Sequence, residues 1–290
     1  ANDVDLGNDE MFVEDPRGFN CILDRMVEDL KVWGVQIHLQ TKVQMVHYKP
    51  GNVKVVAQDG TTGLISEYKT DAVVSTVSLG VLQSKSIKFL PPFPKWKIDA
   101  IGQLAMFNFA KVFCKFETKF WPDKDQLVFV VGDEKKGYYP LWMKYRSTFE
   151  SQHLFMCYLG GAEARRVECL TTEQIANEVE ELFRRAFEHT LSNGQDPTTC
   201  FRPSSVAVTD WSNNPMFHGS YSVYPVGAFA DVPFSDLTKG LNGVEGHEED
   251  VANRETLYFA GEAFDDKFNG WVQGAYMSGE RVAKKILERQ

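Results

Sequence analysis

The C-terminal part of the chain contains an arrangement that is typical of cofactor sites. Thr256–Ala260 is a short, mostly apolar run that predicts a strand, and Gly261-Glu262 follows directly at its end. Asn269-Gly270-Trp271 then precedes a run, Val272–Leu287, in which apolar residues recur at helical spacing. In a strand–loop–helix unit of this kind, the free N–H groups and the positive dipole end of the helix meet the ligand.

A second candidate is a lysine inside an apolar run. Lys111 lies within Phe107–Phe116, which predicts a strand, and Phe120-Trp121-Pro122 follows it. A lysine in such a run is usually an edge-strand or snorkelling residue. Its ammonium is also a compact charge whose pKa falls on burial, so it can hold a water molecule at a reaction centre. The run alone leaves both roles open.

Aromatic residues form the third candidate. Trp211 precedes Gly219-Ser220-Tyr221-Ser222, and Trp271 follows the Asn-Gly pair near the C-terminus. Aromatic faces attract a cation and exclude water, so two of them could position an amine. The alternative is an ordinary core role, because Phe, Trp and Tyr make up 13% of the chain. That alternative is credible for Phe109.

The elements that must position these residues follow from hydrophobic periodicity and turn residues. A stripe from Ile22 to Leu30 predicts a helix with one buried face, which Gly34 ends. Thr171 to Gln174 resembles a capping box and predicts the start of a second helix. The continuous apolar residues of Asp71–Val77 predict a strand covered on both faces. Further strands are predicted at Val35–Leu39, Val43–Tyr48, Val53–Gln58, Leu64–Tyr68, Gln126–Val131, Tyr139–Lys144, Leu154–Leu159 and Val206–Asp210.

Composition excludes several classes of function. The 290 residues carry a formal net charge of −9, which disfavours nucleic-acid binding because phosphate neutralisation needs clustered cations. No apolar run approaches the ~20 residues of a membrane span. The five cysteines form no CxxC, and the six histidines show no metal spacing, so we expect no metal site. We find no signal peptide and no peroxisomal signal in this sequence, and the compartment stays open.

Together these motifs resemble the FAD-dependent amine oxidase family, which includes polyamine oxidases, monoamine oxidases and flavin histone demethylases. The likeness is closest to polyamine oxidases. The stretches that carry it are Val74–Leu82, Phe109–Phe113, Gly219–Ser222, Tyr258–Glu262 and Phe268–Ala275.

The resemblance implies a mixed α/β fold with two interleaved domains. Part of a Rossmann-like FAD-binding domain would occupy residues 1–86 and return at 209–290. A substrate domain with a mixed sheet and helices would occupy residues 87–208.

The resemblance also implies roles for particular residues. Lys111 would hold a water molecule beside flavin N5. Tyr221 and Trp271 would form aromatic walls for the amine, with Phe109 close by. The remaining cofactor contacts would come from Val43 through its backbone at the adenine, from Trp211, from Gly261 and Glu262 at the ribityl chain, and from Gly270, Trp271 and Val272 at the helix start.

The implied activity is flavin-dependent oxidation of a polyamine-like amine. A hydride would pass to N5, O2 would reoxidise the flavin to give H2O2, and the imine would hydrolyse to an aldehyde. An L-amino-acid oxidase is an alternative. Trp271 is bulkier than the tyrosine of many relatives, which leaves the width of the amine slot open.

The family begins with a strand–GxGxxG–helix unit that cradles the pyrophosphate, and this sequence contains no GxGxxG. Three interpretations follow. The chain could be one part of a split or cleaved enzyme whose second polypeptide carries that unit, or an incomplete stretch of an intact enzyme. It could also be a truncated, catalytically inactive subunit that acts as a scaffold or binding partner.

Overall fold

The computed structural model describes residues 15–122, 126–130, 137–144, 153–191, 196–227, 233–243 and 255–288. They divide into two compact units. Unit 1 comprises Gly34–Phe107 and Asn214–Gln290, and unit 2 comprises Asn108–Asn213 with the segment that ends at Trp33. The chain therefore changes unit at 33/34, 107/108 and 213/214. The assignment of residues 1–86 and 209–290 to a cofactor domain, and of 87–208 to a substrate domain, stays a prediction.

Helices and strands alternate irregularly along the chain. In chain order they are α1 (Asn20–Val32), β1 (Thr41–Lys49), β2 (Asn52–Asp59), β3 (Ile65–Thr70), β4 (Val73–Ser75), α2 (Leu79–Ser84), β5 (Lys88–Leu90), α3 (Lys95–Gln103), β6 (Ala105–Phe107), β7 (Phe109–Lys115), β8 (Gln126–Val128), β9 (Leu141–Lys144), β10 (Leu154–Gly160), α4 (Gly161–Glu168), α5 (Thr172–Phe187), α6 (Pro197–Phe201), β11 (Ser205–Val208), β12 (Tyr221–Val223), α7 (Phe234–Thr238), β13 (Leu257–Phe259) and α8 (Val272–Leu287). Short 3-10 helices occupy Glu188–Thr190 and Glu262–Phe264.

Unit 1 contains three small sheets. One has the order β3-β2-β1-β5, with β1 antiparallel to β2 and parallel to β5. A bulge interrupts the β1–β2 register between Val43 and Met45. β12 pairs antiparallel with β6, and β13 pairs parallel with β4. The core between these sheets and helices α2, α3 and α7 includes Tyr48, Leu79, Phe259 and Phe264, each at most 1% exposed.

Unit 2 is built on one antiparallel sheet of order β11-β7-β10-β9-β8. The interior strand β7, between β11 and β10, alternates strictly, so that Ala110, Val112 and Cys114 are buried whereas Phe109 and Lys111 are only partly covered. The period-2 geometry of a strand places these two sets on opposite faces. Helices α4 and α5 contribute Val167 and other apolar residues to the core on the buried face.

The helix predicted from the Thr171 capping box is confirmed. The Thr171 hydroxyl accepts the Gln174 N–H, and the Gln174 side chain accepts the Thr171 N–H. These two bonds satisfy N–H groups that a helix start leaves without partners.

Three local predictions were wrong in detail. Helix α1 forms, but none of its residues is buried, so the predicted buried face has no cover among the described residues. Val35–Leu39 is not a strand, because it has no pairing neighbour in the part of the chain that the structure describes. Asp71–Val77 contains only the short strand β4, in which Val74 is 40% exposed. The remaining predicted strands correspond to observed ones, with Phe107–Phe116 divided at Asn108 between β6 and β7, and with Val131, the last residue of Gln126–Val131, lying outside the described residues.

Candidate active site

The end of strand β13 delivers Gly261 and Glu262 to the start of a 3-10 helix. Gly261 has a φ of 137°, which is open to glycine and strained for other residues. Its N–H donates to the Ser278 hydroxyl on α8 at 2.9 Å. This bond ties the β13 end to the C-terminal helix.

The Glu262 carboxylate joins three parts of unit 1. Its Oε1 accepts the Ser222 N–H at 3.1 Å, and its Oε2 accepts the Ser222 hydroxyl and the Gly270 N–H, both at 2.6 Å. Asn269 completes the network by donating Nδ2–H to the Ser222 hydroxyl at 2.6 Å and to its carbonyl at 3.2 Å. Hydrogen bonds to an ionised carboxylate are roughly twice as strong as neutral ones, so this network fixes β12 against the loop before α8.

Two glycines allow the loop to approach its neighbours. Gly270 has a φ of 81°, and a Cβ there would lie 3.3 Å from the Tyr221 ring. A Cβ on Gly274 would lie 2.1 Å from the Phe268 carbonyl oxygen, far inside van der Waals contact. The loop therefore packs closely on α8 and on Tyr221 because residues 270 and 274 have no side chain.

A cavity of about 320 Å³ opens where these groups meet. We call it the Glu262 pocket, and its lining residues are Tyr221, Ser222, Val223, Asn269, Gly270 and Trp271. Three predicted site residues, Tyr221, Gly270 and Trp271, thus share one cavity. The Tyr221 ring lies 5.5 Å from that of Phe107, and burial raises the pKa of Tyr221.

The start of α8 lies at this pocket. Trp271 is the N-cap residue with an extended backbone, and its carbonyl accepts the N–H of Gly274 at 3.1 Å. Half of Trp271 is exposed, and Val272 is more exposed still. The first N–H groups of a helix have no partner within it, so the positive end of α8 is available to an anionic or electron-rich group.

In unit 2, the predicted residues Phe109 and Lys111 lie on one face of the sheet. Lys111 is opposite Tyr158 of β10, and its Nζ lies 5.5 Å from the centre of the Tyr158 ring. The Phe109 ring also lies 5.5 Å from that of Tyr158. These three residues form what we call the Lys111 face, where a cation lies over an aromatic ring.

Trp211 follows β11 and is held near the same strand. Thr209 exchanges two bonds with Lys111, at 2.9 Å and 3.1 Å, and Ser212 donates its hydroxyl to the Asn108 side chain at 2.7 Å. The Trp211 N–H donates to Oε1 of the buried Glu168 at 3.0 Å. Oε2 of Glu168 has no hydrogen-bond partner among the described residues. The segment around Trp211 is therefore fixed to β7 and to the end of α4.

Val43, the remaining predicted contact, lies on β1 at the bulge and packs against the unit 1 core. Bulges leave a backbone group unpaired and are frequent beside active sites. Within the described ranges, no three His, Cys, Asp or Glu side chains are grouped so that they could hold a metal ion. No helix that the structure describes is both long and apolar enough to cross a membrane.

A family model described as flavin containing amine oxidoreductase matches residues 5–287. The chain belongs to this family. It is 30% identical to Polyamine oxidase 1 of Zea mays over 98% of this chain and 53% of that protein. It is 28% identical to Lysine-specific histone demethylase 2 of Homo sapiens over 93% of this chain and 29% of that protein. It thus spans about half the length of the plant polyamine oxidase.

Two solved structures share the fold of this chain. A putrescine oxidase solved with bound putrescine matches with a TM-score of 0.67 at 16% identity, over 93% of this chain and 53% of that chain. Cyclohexylamine oxidase from Brevibacterium oxydans matches with a TM-score of 0.63 at 15% identity, over 94% and 53%. The predicted family and mixed α/β fold are confirmed, and FAD is the cofactor that the family implies.

The residues of the Glu262 pocket are compatible with a flavin. Oε1 of Glu262 accepts one N–H, and a carboxylate oxygen can accept a second donor, so it retains capacity for a ribityl hydroxyl. Gly270, directly before the N-cap residue of α8, presents backbone without a Cβ. Glu262, which contacts the lining residues Ser222 and Gly270, offers an acceptor for a sugar chain, and the helix N-terminus beside Trp271 suits an electron-rich ring.

Several residues that contribute to the Glu262 pocket, to the Lys111 face or to the segment around Trp211 were not predicted from the sequence. Ser222 and Asn269 lie in quoted stretches, but nothing in their types indicated that Glu262 bonds them. Glu168 and Tyr158 come from α4 and β10, and only tertiary pairing places them beside Trp211 and Lys111. Leu154–Leu159 is apolar or aromatic throughout, so no alternation in the sequence indicated the face on which Tyr158 lies.

Proposed function

We propose that this chain forms the flavin-facing part of an amine oxidase of the polyamine-oxidase type. The observation that carries the proposal is that Tyr221 and Trp271, which the family resemblance predicts as two walls of one site, line a single cavity together with Gly270. Similarity to proteins named polyamine oxidases supports the substrate class.

When bound, FAD would supply a two-electron acceptor for a hydride from the amine, and O2 would take up the two electrons to give H2O2. The protein has to bind and orient the amine. Tyr221 and Trp271 can hold an ammonium or amine over their ring faces and exclude water from it. The resulting imine would then hydrolyse to an aldehyde outside the aromatic walls.

Lys111 would provide the fixed charge of the reaction centre. Its strand neighbours Thr209 and Tyr158 restrict the backbone and the ammonium, so that the Nζ can hold a water molecule at a constant position. A preorganised cation also stabilises negative charge that develops during electron transfer to O2. Phe109 would narrow the approach on the same face.

The other predicted contacts would hold the cofactor itself. We propose that Glu262 accepts a ribityl hydroxyl at Oε1, with Gly261 fixing its position. Gly270, Trp271 and Val272 would present the start of α8, Val43 would contact the adenine through its backbone, and Trp211 would complete the cofactor contacts.

We also propose that the active form includes a segment with the Gly-rich pyrophosphate unit, on the same or a second polypeptide. Strand β4 has one strand partner, β13, in the described part of the chain. Parallel sheets are normally larger and covered on both faces. Val74 and Leu39 are exposed at 40% and 80%, which gives a further segment apolar surface to cover.

An anaerobic absorbance experiment tests the function. The purified protein, with every copurifying chain retained, is mixed with spermine, with putrescine or with an L-amino acid while the flavin band is followed. Bleaching by the polyamines supports the proposal, and bleaching by the amino acid alone would replace it with an amino-acid oxidase. A preparation without flavin, even after FAD is added, would favour the scaffold interpretation.

A further inference from the structure

One face of helix α8 receives the loop that leads to the Glu262 pocket. Gly274, Ser278 and Arg281 follow one another at spacings of four and three, which places them on the same side of the helix. Each contacts a different point of the loop. Gly274 lies against the Phe268 carbonyl, and Ser278 accepts the Gly261 N–H.

Arg281 makes the third contact, with a buried carboxylate. Its Nη1 donates to Oδ2 of Asp265 at 3.2 Å, and its Nη2 donates to the Phe264 carbonyl. The Asp265 side chain is 4% exposed, whereas that of Arg281 is 49% exposed. Burying a carboxylate destabilises the fold unless the carboxylate is paired and hydrogen-bonded, so the ion pair with Arg281 stabilises Asp265 in its buried position.

The other oxygen of Asp265 shapes the loop. Oδ1 accepts the N–H groups of Lys267 and Phe268 at 3.2 Å and 3.0 Å, which closes a turn of the kind that Asp side chains favour. The Phe268 carbonyl then accepts the Trp271 N–H at 3.0 Å. A continuous series of contacts therefore runs from Arg281 through Asp265 to Trp271.

We infer that Asp265 and Arg281 form a clamp that positions the Asn269-Gly270-Trp271 edge of the pocket. Arg281 is then a positioning residue that acts on Trp271 through Asp265 and the turn. Its effect on amine oxidation rests on the proposed function, whereas its effect on the loop does not.

Hydrogen–deuterium exchange on the purified full protein tests the clamp. In Arg281→Met and in Asp265→Asn, we expect amides of residues 265–273 to exchange about ten-fold faster, while peptides from β1 and β2 keep their rates. The double variant should exchange no faster than Arg281→Met alone, because Arg281→Met already removes the contact with Asp265 and the bond to the Phe264 carbonyl. Arg281→Lys keeps the positive charge, so the exchange rates of its amides should fall between those of the wild type and those of Arg281→Met.

Lys284→Met is the matched control, because it removes a cation from the same helix, and Lys284 pairs with the exposed Glu280. It should leave residues 265–273 unchanged. Unchanged exchange in Arg281→Met, or equal acceleration throughout the chain, would overturn the clamp. Faster local exchange in a protein that oxidises no amine would leave the clamp standing and refute the proposed function.

Where the flavin enzyme is active, the same variants should raise KM for the amine several-fold more than they lower kcat. The reason is that, under the proposed function, Trp271 would contact the substrate and Arg281 would not. A change confined to thermal stability, with KM and local exchange unaltered, would contradict a positioning role.

Discussion

The Glu262 pocket and the Lys111 face hold their side chains by different means. In the pocket, the carboxylates of Glu262 and Asp265 accept backbone N–H groups of a loop that has no strand partners of its own. At the Lys111 face, the strand register of β7 and β10 sets the side-chain positions. A site built from carboxylate bonds should be sensitive to single substitutions, whereas a site built from a sheet should tolerate them.

Replacing Glu262 should give the largest effect. Glu262→Ala leaves the Ser222 N–H, its hydroxyl and the Gly270 N–H without their acceptor, so we expect a loss of about 3 kcal/mol in the free energy of unfolding. Urea denaturation measures the loss, and gel filtration should show release of flavin. Glu280→Ala, at an exposed position of α8, is the control. A loss in Glu262→Ala no larger than in that control would refute the carboxylate network.

Gly274 and Gly279 test the close packing of the loop on α8. In Gly274→Ala the new Cβ meets the Phe268 carbonyl oxygen, which should cost about 2 kcal/mol. In Gly279→Ala the Cβ meets nothing within 4 Å, so the better helix propensity of Ala should raise stability by up to about 1 kcal/mol. In thermal denaturation, the Tm of Gly274→Ala should lie below that of the wild type and the Tm of Gly279→Ala above it. Tm changes of the same sign in both variants would contradict the packing of the loop on α8.

A buried lysine adds a pH dependence to unit 1. Lys97 is fully buried, and its Nζ donates to the carbonyls of Asp236, Leu237 and Lys239 and lies 3.9 Å from the centre of the Phe259 ring. Burial lowers the pKa of Lys97 to about 7, although the nearby carboxylates of Glu255 and Asp236 oppose the shift.

The sign of the effect follows from proton binding. Between pH 7 and the ordinary lysine pKa of 10.5, the unfolded chain binds more protons at this residue, so stability rises with pH. From pH 7 to 9 the free energy of unfolding should rise by about 2 kcal/mol more in the wild type than in Lys97→Met. Lys95→Met, on the exposed side of α3, should keep the wild-type slope. If the free energy of unfolding rises equally with pH in the wild type, Lys97→Met and Lys95→Met, the lowered pKa of Lys97 is refuted.

The Lys111 face should give the smallest effect. Tyr158→Leu removes the ring near the Lys111 ammonium but leaves the β7–β10 pairing intact, so we expect a loss of about 0.5–1 kcal/mol. Tyr158→Phe retains the ring and should be close to neutral. A loss comparable with that of Glu262→Ala would mean that the two regions do not differ as proposed.

The same contrast explains what could be predicted from the sequence. Gly261, Glu262, Gly270 and Trp271 lie within one strand–loop–helix unit, so local order along the chain indicates their proximity. The partner of Glu262, Ser222, lies 40 residues away, and no local pattern predicts that bond.

Local patterns also failed where a neighbouring element decides the outcome. Val35–Leu39 alternates like a strand, but pairing, not alternation, makes a strand, and the described residues provide no neighbour for it. Helix α1 forms as its apolar periodicity predicts. Whether its apolar face is buried depends on a neighbouring element, which that local periodicity does not specify. Strand β7 was predicted well because its alternation and its pairing agree.

Reoxidation of the reduced flavin tests the proposed function most directly, because that function assigns Lys111 a role in the reaction of the flavin with O2. The protein is reduced anaerobically and mixed with O2 in a stopped-flow instrument, and recovery of the flavin band is followed. In Lys111→Met we expect a rate about 10²-fold below the wild type, whereas Lys115→Met, exposed on the same strand, should be unchanged. An unaltered rate in Lys111→Met would contradict the account.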